Sequence, residues 1–237
     1  MKKYLLSIVL LSTVTITTLP AQEIAFGVRA GASLSNIRGE DANNAAVSQY
    51  LNATAGVAVP SFLEGININS LTQTDPKSLT SFFAGAYLDL ALLGPVHLEP
   101  GVYLASKGYR LESALQGLAR LDIVNRSYYL EIPVYARLFI SEGLNVYAGP
   151  QFSVLLSNTF KTDISASIGS FDIANFDFEN DGSNELNNVD VGLAAGIGYE
   201  LPFGLNVQLG YDFGFVRFTE DTKAYNGVWK LGAGITF

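Results

Sequence analysis

The side chains able to carry out chemistry are few in this chain. It contains one histidine, His97, and no cysteine among its 237 residues. These counts exclude disulfides, thiolate catalysis, zinc bound by cysteine and any metal site built from several histidines. A GxSxG nucleophile elbow and a Walker-type phosphate loop are also absent. His97 follows the Gly94-Pro95 turn, and the sequence places no serine nucleophile beside it, so we predict no catalytic residue and no cofactor.

One acidic segment has the spacing of a calcium-binding loop. Asp177, Glu179 and Asp181 alternate with other residues, and a glycine and Glu185 follow them. The pattern departs from an EF-hand, because Asn188 stands where a bidentate glutamate belongs and no flanking helices are predicted. A solvent-exposed acidic loop is the ordinary interpretation, and a weak divalent-cation site is the alternative.

The composition indicates a membrane protein that does not use membrane helices. Hydrophobic residues make up 49% of the chain and charged residues only 15%, against about 25% charged residues in typical soluble domains. The mean hydropathy is +0.26. After the N-terminal segment, however, no apolar run is long enough for a transmembrane helix. The formal net charge of −8 argues against a nucleic-acid partner, because no basic excess is available to neutralise phosphates.

The N-terminal segment has the features of a secretory signal peptide. Two lysines precede the uncharged stretch Tyr4–Leu19, and Ala21 provides a small residue for cleavage. An uncleaved anchor helix is the alternative, although Pro20 and the neighbouring threonines suit a helix poorly. We therefore predict that residues 1–21 are a signal peptide and that residues 22–237 form one exported β-barrel domain.

The remainder of the chain alternates apolar and polar residues with a period of two, which predicts an all-β fold. Eight segments show this pattern at about the length of tilted strands that cross a bilayer. Connections after strands two, four and six are short, whereas the others are long. This alternation is typical of an eight-stranded antiparallel up-and-down transmembrane barrel with short periplasmic turns and long extracellular loops. The predicted strands are Ile24–Leu34, Ser81–Ala91, Val96–Tyr109, Arg126–Ile140, Leu144–Ser157, Val189–Glu200, Leu205–Phe218 and Val228–Phe237.

The two faces of these strands differ in chemistry. One is apolar, and the other carries glycine, polar and charged residues, which suits the narrow lumen of an eight-stranded barrel. A soluble lipocalin-like barrel with reversed faces is the alternative, but its surface would be poor in charge. With Glu200 and Arg217 included, the polar face holds six acids and five bases, a balance that favours structural ion pairs over a selective pore. The predicted lumen charge network is Arg29, Asp89, Glu99, Lys107, Glu131, Arg137, Asp190, Asp212 and Lys230.

Two pairs of opposite charge are predicted at equal heights in this network. Counting from the strand ends places Asp212 of strand seven level with Lys230 of strand eight. The same count places Glu99 of strand three level with Arg137 of strand four. Because each pair lies on neighbouring strands, we expect the two side chains of each pair to face each other.

The last strand carries the spacing of a barrel-assembly signal. Lys230, Gly232, Ile235 and Phe237 provide a polar residue, a glycine, an apolar residue and a terminal aromatic. These are the positions of the C-terminal signal of outer-membrane barrels. We therefore expect the barrel-assembly machinery to bind this strand during biogenesis.

Several segments resemble the PorT-like outer-membrane β-barrel family of Gram-negative bacteria. The most specific are Leu-Glu-Ile-Pro at Leu130–Pro133 and Ala-Gly-Pro-Gln at Ala148–Gln151. The resemblance covers nearly the whole mature chain except the first and third loops. It implies a signal peptide, an eight-stranded barrel and no catalytic motif, and the namesake of the family assists protein secretion across the envelope. The remaining segments are Phe26–Gly31, Leu34–Asn36, Leu98–Gly101, Lys107–Gly108, Tyr129–Val134, Tyr147–Phe152, Gly196–Glu200 and Gly210–Tyr211.

Together these features predict a monomeric, non-enzymatic outer-membrane protein with a role in envelope structure, surface interaction or secretion assistance. A small-solute channel and a lipid-modifying barrel enzyme are the alternatives. The expected partners are outer-membrane lipid, the assembly machinery and an extracellular or envelope protein bound through the loops. The first loop includes the apolar segment Ala45–Leu63. It either folds over the barrel mouth as a lid or presents a surface to a partner.

Overall fold

The computed structural model describes residues 24–53, 76–115, 119–168, 171–181, 188–217 and 223–237. The predicted signal peptide, residues 1–21, lies outside the described residues. Within them, no helix combines the length and the hydropathy that crossing a bilayer requires. The elements are β1 (Ile24–Arg38), α1 (Ala42–Ala53), β2 (Lys77–Leu93), β3 (Val96–Leu115), β4 (Ala119–Phe139), β5 (Leu144–Ile168), β6 (Phe171–Asp181), β7 (Val189–Glu200), β8 (Leu205–Arg217) and β9 (Tyr225–Thr236).

Eight of the strands close into an antiparallel ring, which confirms the predicted barrel. Neighbouring strands pair in the order β4-β3-β2-β1-β9-β8-β7-β5, and pairing between β4 and β5 completes the ring. The chain's first and last strands meet along the β1–β9 seam, where Gly27 lies opposite Thr236 and Arg38 opposite Tyr225. A closed ring leaves no strand edge, so backbone hydrogen bonds continue around the whole circumference.

The three predicted short turns are present, but the predicted alternation with long loops holds only in part, because residues 116–118 alone separate β3 from β4. Short turns at residues 94–95, 140–143 and 201–204 lie at one end of the barrel. Gly94 and Gly204 have φ angles of 55° and 84°, in the left-handed region where a residue with a Cβ is disfavoured. We call this end the short-turn end and the opposite end the long-loop end.

The long-loop end contains more regular structure than the sequence predicts. Loops were expected over residues 110–125 and 158–188, but β3, β4 and β5 continue through much of both segments. In the second segment, β6 pairs with β5 from Thr159 opposite Asp181 to Ile168 opposite Phe171. The prediction of a long third loop is therefore wrong, because most of that segment belongs to the paired strands β5 and β6. β6 lies outside the ring and, among the described strands, pairs with β5 alone.

The two faces of the ring have the predicted orientation. Outward side chains such as Val28, Phe152 and Leu209 are apolar and exposed, whereas inward residues such as Ser153 and Gln208 are polar and buried. This pattern excludes the soluble, lipocalin-like alternative. The alternation shifts once in β5, where Tyr128 pairs with Ser157 but Tyr129 pairs with Leu155. The extra residue forms a β-bulge, beyond which the even-numbered residues of β5 face inward.

Candidate functional site

The charged side chains of the inward face gather in two clusters inside the lumen. Eight of the nine residues of the predicted network are buried, and Asp89 is half-buried near the short-turn end. Four of the eight are basic and four are acidic. A buried charge is costly unless it is paired and hydrogen-bonded. The contacts within each cluster therefore determine whether this lumen is stable.

The cluster nearer the short-turn end joins one carboxylate to two guanidinium groups. Glu99 on β3 accepts hydrogen bonds from Arg29 Nη1 at 2.7 Å and Nη2 at 3.1 Å. Its Oε2 also lies 2.5 Å from Arg137 Nη2. Side-chain amides accept further guanidinium hydrogens, because Arg29 Nε donates to Asn206 Oδ1 and Arg137 Nη1 to Asn145 Oδ1. Ion pairs and amides together satisfy the guanidinium group of Arg29, whereas the buried Arg137 Nε has no hydrogen-bond partner among the described residues.

The second cluster lies further toward the long-loop end and centres on Glu131 of β4. Its Oε1 lies 2.8 Å from Lys107 Nζ, and its Oε2 lies 2.5 Å from Lys230 Nζ. Lys230 also lies 2.6 Å from Asp212 Oδ2, and Lys107 lies 3.9 Å from Asp190. Because β4 and β9 are not neighbours in the ring, the contact between Glu131 and Lys230 crosses the lumen. Glu131 is only 1% exposed, so water does not replace it as a partner for either lysine.

Both predicted ion pairs are present, but each is diagonal rather than level. The count from the strand ends is wrong by two residues. The predicted last strand runs two residues past the start of β8, because Leu205 lies opposite Ile235 rather than Phe237. The predicted fourth strand likewise runs two residues past the start of β3, because Val96 lies opposite Leu138 rather than Ile140. Long charged side chains span such an offset. The residues directly opposite are Val228 for Asp212, Gly210 for Lys230, Tyr135 for Glu99 and His97 for Arg137.

Aromatic rings fill the lumen between the charges, which the sequence analysis missed. Arg29 Cζ lies 4.1 Å from the ring centroid of Tyr87, and Lys107 Nζ lies 4.9 Å from that of Tyr129. The glycines of the inward face leave room for such rings, because a Cβ at Gly210 would collide with the Tyr147 hydroxyl. The signal was available, since these tyrosines share the period-two face with the charges. The buried inward tyrosines of the ring are Tyr87, Tyr103, Tyr109, Tyr129, Tyr135 and Tyr147.

Helix α1 closes the long-loop end through apolar packing. Ala45 and Ala46 are fully buried, and the Tyr109 hydroxyl donates to Gln49 Oε1 at 2.8 Å, while its oxygen also lies 3.1 Å from Ala46 O. For this part of the first loop the structure supports the lid rather than an open partner surface; residues 54–75 lie outside the described residues. The apolar cluster around the helix consists of Ile37, Ala45, Ala46, Val47, Tyr109, Leu111, Ile123, Phe160 and Ala224.

A cavity of about 660 Å³ opens at the short-turn end, and His97 lines it together with Glu142 and Glu200. His97 Nδ1 lies 2.7 Å from Asp89 Oδ1, and its ring centroid lies 4.7 Å from that of Phe139. Among the described residues, His97 makes no hydrogen bond to a hydroxyl group. In the part of the chain that the structure describes, no hydroxyl is therefore hydrogen-bonded to His97 in the way that acyl transfer by a serine requires.

Two other expectations concern the long-loop end. Arg217 is exposed, so its inclusion in the lumen is wrong; the period of two places it on the outward face of β8 with Phe213 and Phe215. Asp177, Glu179 and Asp181 belong to strand β6 rather than to a calcium-binding turn. Their side chains, and Glu185 as a whole, lie outside the described residues. The described residues contain no group of three or more acidic, histidine or cysteine side chains arranged to hold a metal ion.

The predicted assembly signal lies along the β1–β9 seam. Lys230 and Gly232 face the lumen, whereas Ile235 and Phe237 face outward. The ring of Phe237 stacks on Phe26 with centroids 5.0 Å apart, and its backbone N–H donates to Phe26 O at 2.8 Å. Phe237 therefore contributes both a ring contact and a hydrogen bond to the closure of the barrel.

The match to a protein-family model agrees with this geometry. Residues 20–220 match the family model described as outer membrane protein beta-barrel domain, whereas no curated protein matches the chain. Among solved structures, the chain is similar to Neisserial surface protein A, with 11% identity over 91% of this chain and 99% of that one and a TM-score of 0.45. It is also similar to Ail, the attachment invasion locus protein of Yersinia pestis, with 12% identity, 91% and 99% coverage and a TM-score of 0.40. Because the family model covers most of its length, the chain belongs to the outer membrane protein beta-barrel domain family, and its barrel lies in the outer membrane.

Proposed function

We propose that this protein is a closed, non-enzymatic barrel that serves in envelope structure, surface interaction or secretion assistance rather than in solute transport. The observation that carries the proposal is the double closure of the lumen. Paired charges and tyrosines fill its middle, and α1 seals its long-loop end. In barrels of this kind the short turns face the periplasm and the long loops face outward. Contacts with other molecules are then made by the outer surface and the two ends.

A more specific version of the proposal is a PorT-like role, in which the barrel assists protein secretion. The support for it is the sequence resemblance at Leu130–Pro133 and Ala148–Gln151. The cavity at the periplasmic end offers a place where a periplasmic component could contact the barrel. We propose that the barrel acts as a monomer, since the ring closes within one chain.

Solute flux into liposomes tests the closed-barrel proposal. We expect phosphatidylcholine liposomes that contain the protein to swell in arabinose no faster than protein-free liposomes. A 16-stranded porin, whose lumen is an aqueous channel, serves as the positive control. Swelling at a rate near that of the porin would overturn the proposal in favour of the small-solute channel.

We also propose that Lys230, Gly232, Ile235 and Phe237 form the signal read by the barrel-assembly machinery. Phe237→Asp should reduce the amount of folded protein in the outer membrane while export continues. Phe203→Asp is the matched control, because Phe203 is an aromatic residue at the same end of the barrel with similar exposure, 68% against 62%. Equal loss in both variants, or no loss in Phe237→Asp, would contradict the proposed signal.

A further inference from the structure

The outward wall formed by β2 to β5 changes from apolar to basic near its outer border. On β4 the outward residues Ile132 and Leu130 lead to Tyr128, whose ring centroid lies 6.4 Å from that of Phe82 on β2. Girdles of aromatic residues mark both borders of the apolar band in outer-membrane barrels. Tyr128 and Phe82 therefore mark the outer border on this side. The next outward residue of β4 is Arg126.

The height of Arg126 agrees with this border. Arg126 lies about twelve residues along β4 from Leu138, an exposed outward residue near the periplasmic end. At about 3.3 Å per residue and a tilt of about 45°, that distance corresponds to a rise of roughly 28 Å. The apolar band of such barrels is about 25 Å tall. Arg126 therefore lies at the level where lipid headgroups replace acyl chains.

Further bases lie on the same wall, one position further out. Lys77 lies opposite Arg110, Arg110 opposite Val124, and Val124 opposite Lys161. Val124 is two residues from Arg126 on the same face of β4. The wall is thus apolar, then basic, then acidic in the outward direction. The acidic positions, which also lie opposite one another, are Glu112, Asp122 and Asp163.

The bases of this wall differ in their ion pairs. Lys77 Nζ lies 2.8 Å from Glu112, and Arg110 Nε lies 3.3 Å from Asp122. Arg126 is half-buried and forms no ion pair with a carboxylate of the described residues. A positive charge at the edge of the lipid phase gains most from a counter-ion supplied by the lipid surface.

We propose that Arg126, together with Arg110 and Lys161, binds the phosphate of a lipid headgroup in the outer leaflet. The inference depends on the orientation of the barrel with its long loops outside. Arg126 supplies a guanidinium group that can donate two parallel hydrogen bonds to one phosphate. The acids lie beyond the bases, so they do not place negative charge between Arg126 and the headgroup.

Native mass spectrometry of the full-length, detergent-solubilised barrel, titrated with bisphosphorylated lipid A, tests the proposal. We expect the wild-type protein to retain this lipid, and Arg126→Gln to bind it about fivefold more weakly, as expected for one base near a charged lipid surface. Arg126→Lys should bind with intermediate affinity, because it keeps the charge but loses the paired hydrogen bonds. Lipid A without phosphates should bind the wild-type protein and Arg126→Gln equally weakly.

Lys223→Gln provides the matched control. Lys223 is an exposed base at the long-loop end, beside β9, and lies 3.8 Å from Glu40. Its replacement should leave lipid binding unchanged. Each variant is first shown to be folded by the shift between unheated and boiled samples on a denaturing gel. The proposal would be overturned if Arg126→Gln bound bisphosphorylated lipid A as well as the wild-type protein does, or if Lys223→Gln lost as much binding as Arg126→Gln. It would also be overturned if the wild-type protein bound phosphate-free lipid A as well as the bisphosphorylated form, or if millimolar inorganic phosphate displaced the lipid completely.

Discussion

The middle of the lumen and its outer mouth are closed by different kinds of interaction. In the middle, four bases and four acids are buried together, and each charge depends on a partner that water does not replace. At the mouth, small apolar residues of α1 pack against Leu111, Ile123 and Phe160. Loss of one partner should therefore be costly in the middle, whereas the mouth should respond to changes in side-chain volume. The same barrel therefore has two closures: the one in the middle of the lumen is sensitive to loss of charge, and the one at the mouth is sensitive to packing.

The largest effect is expected where one acid serves two bases. Glu131→Ala leaves both Lys107 and Lys230 without their shared partner. Breaking a buried ion pair in this way costs about 3–5 kcal/mol, measured by the urea midpoint of refolding in detergent. Glu142→Ala is the control, because Glu142 is exposed in a short turn and surface changes usually stay within about 0.5 kcal/mol. Similar midpoints for the two variants would contradict the ion pairs of the middle cluster.

A smaller effect is expected for Asp212→Ala, because Lys230 keeps its contact with Glu131 at 2.5 Å. The double variant Asp212→Ala with Lys230→Ala should lose less than the sum of the two single losses, with a coupling of about 0.5–3 kcal/mol. The same urea midpoints measure this coupling. Strictly additive losses would mean that the diagonal contact between Asp212 and Lys230 does not form in the folded barrel.

The outer mouth should respond to volume. Ala46→Leu inserts a larger side chain at a fully buried position of α1, and such overpacking costs about 1–3 kcal/mol. Because this cluster lies at the long-loop end, we expect faster protease cleavage in the first loop while the barrel itself still shifts on an unheated gel. Ser48→Leu is the control, since Ser48 lies on the exposed side of the same helix. Equal cleavage of both variants would show that α1 does not seal the mouth.

The sequence was sufficient to predict those features that depend on alternation alone. The period of two assigned Arg29, Glu99 and Glu131 to the lumen, because a closed barrel has only two faces and one of them contacts lipid. The same period places Tyr147 on the polar face with Asn145 and Gln151, and it places Tyr87 there with Asp89. The levels of Asp212 and Lys230 were harder to predict, because they depend on how far Phe237 extends past Leu205.

The long-loop end could not be predicted by the same reasoning. Helix α1 contains no charged residue, and its packing partners Leu111, Ile123 and Phe160 are distant in sequence. Most of the stability of a short helix comes from such tertiary contacts rather than from its own sequence. β6 was missed because its acidic residues suggested a solvated loop, whereas the structure pairs these residues with β5.

Planar-bilayer recording of a lid-deleted variant tests most directly whether the lumen is closed at two independent levels. In this variant a Gly-Ser linker replaces residues 42–53, which form α1. The account predicts no steady conductance for the wild-type protein and none for the variant, because the charges and tyrosines of the middle still fill the lumen. Steady conductance in the variant would show that α1 alone closes the barrel. Steady conductance in the wild-type protein would contradict both closures.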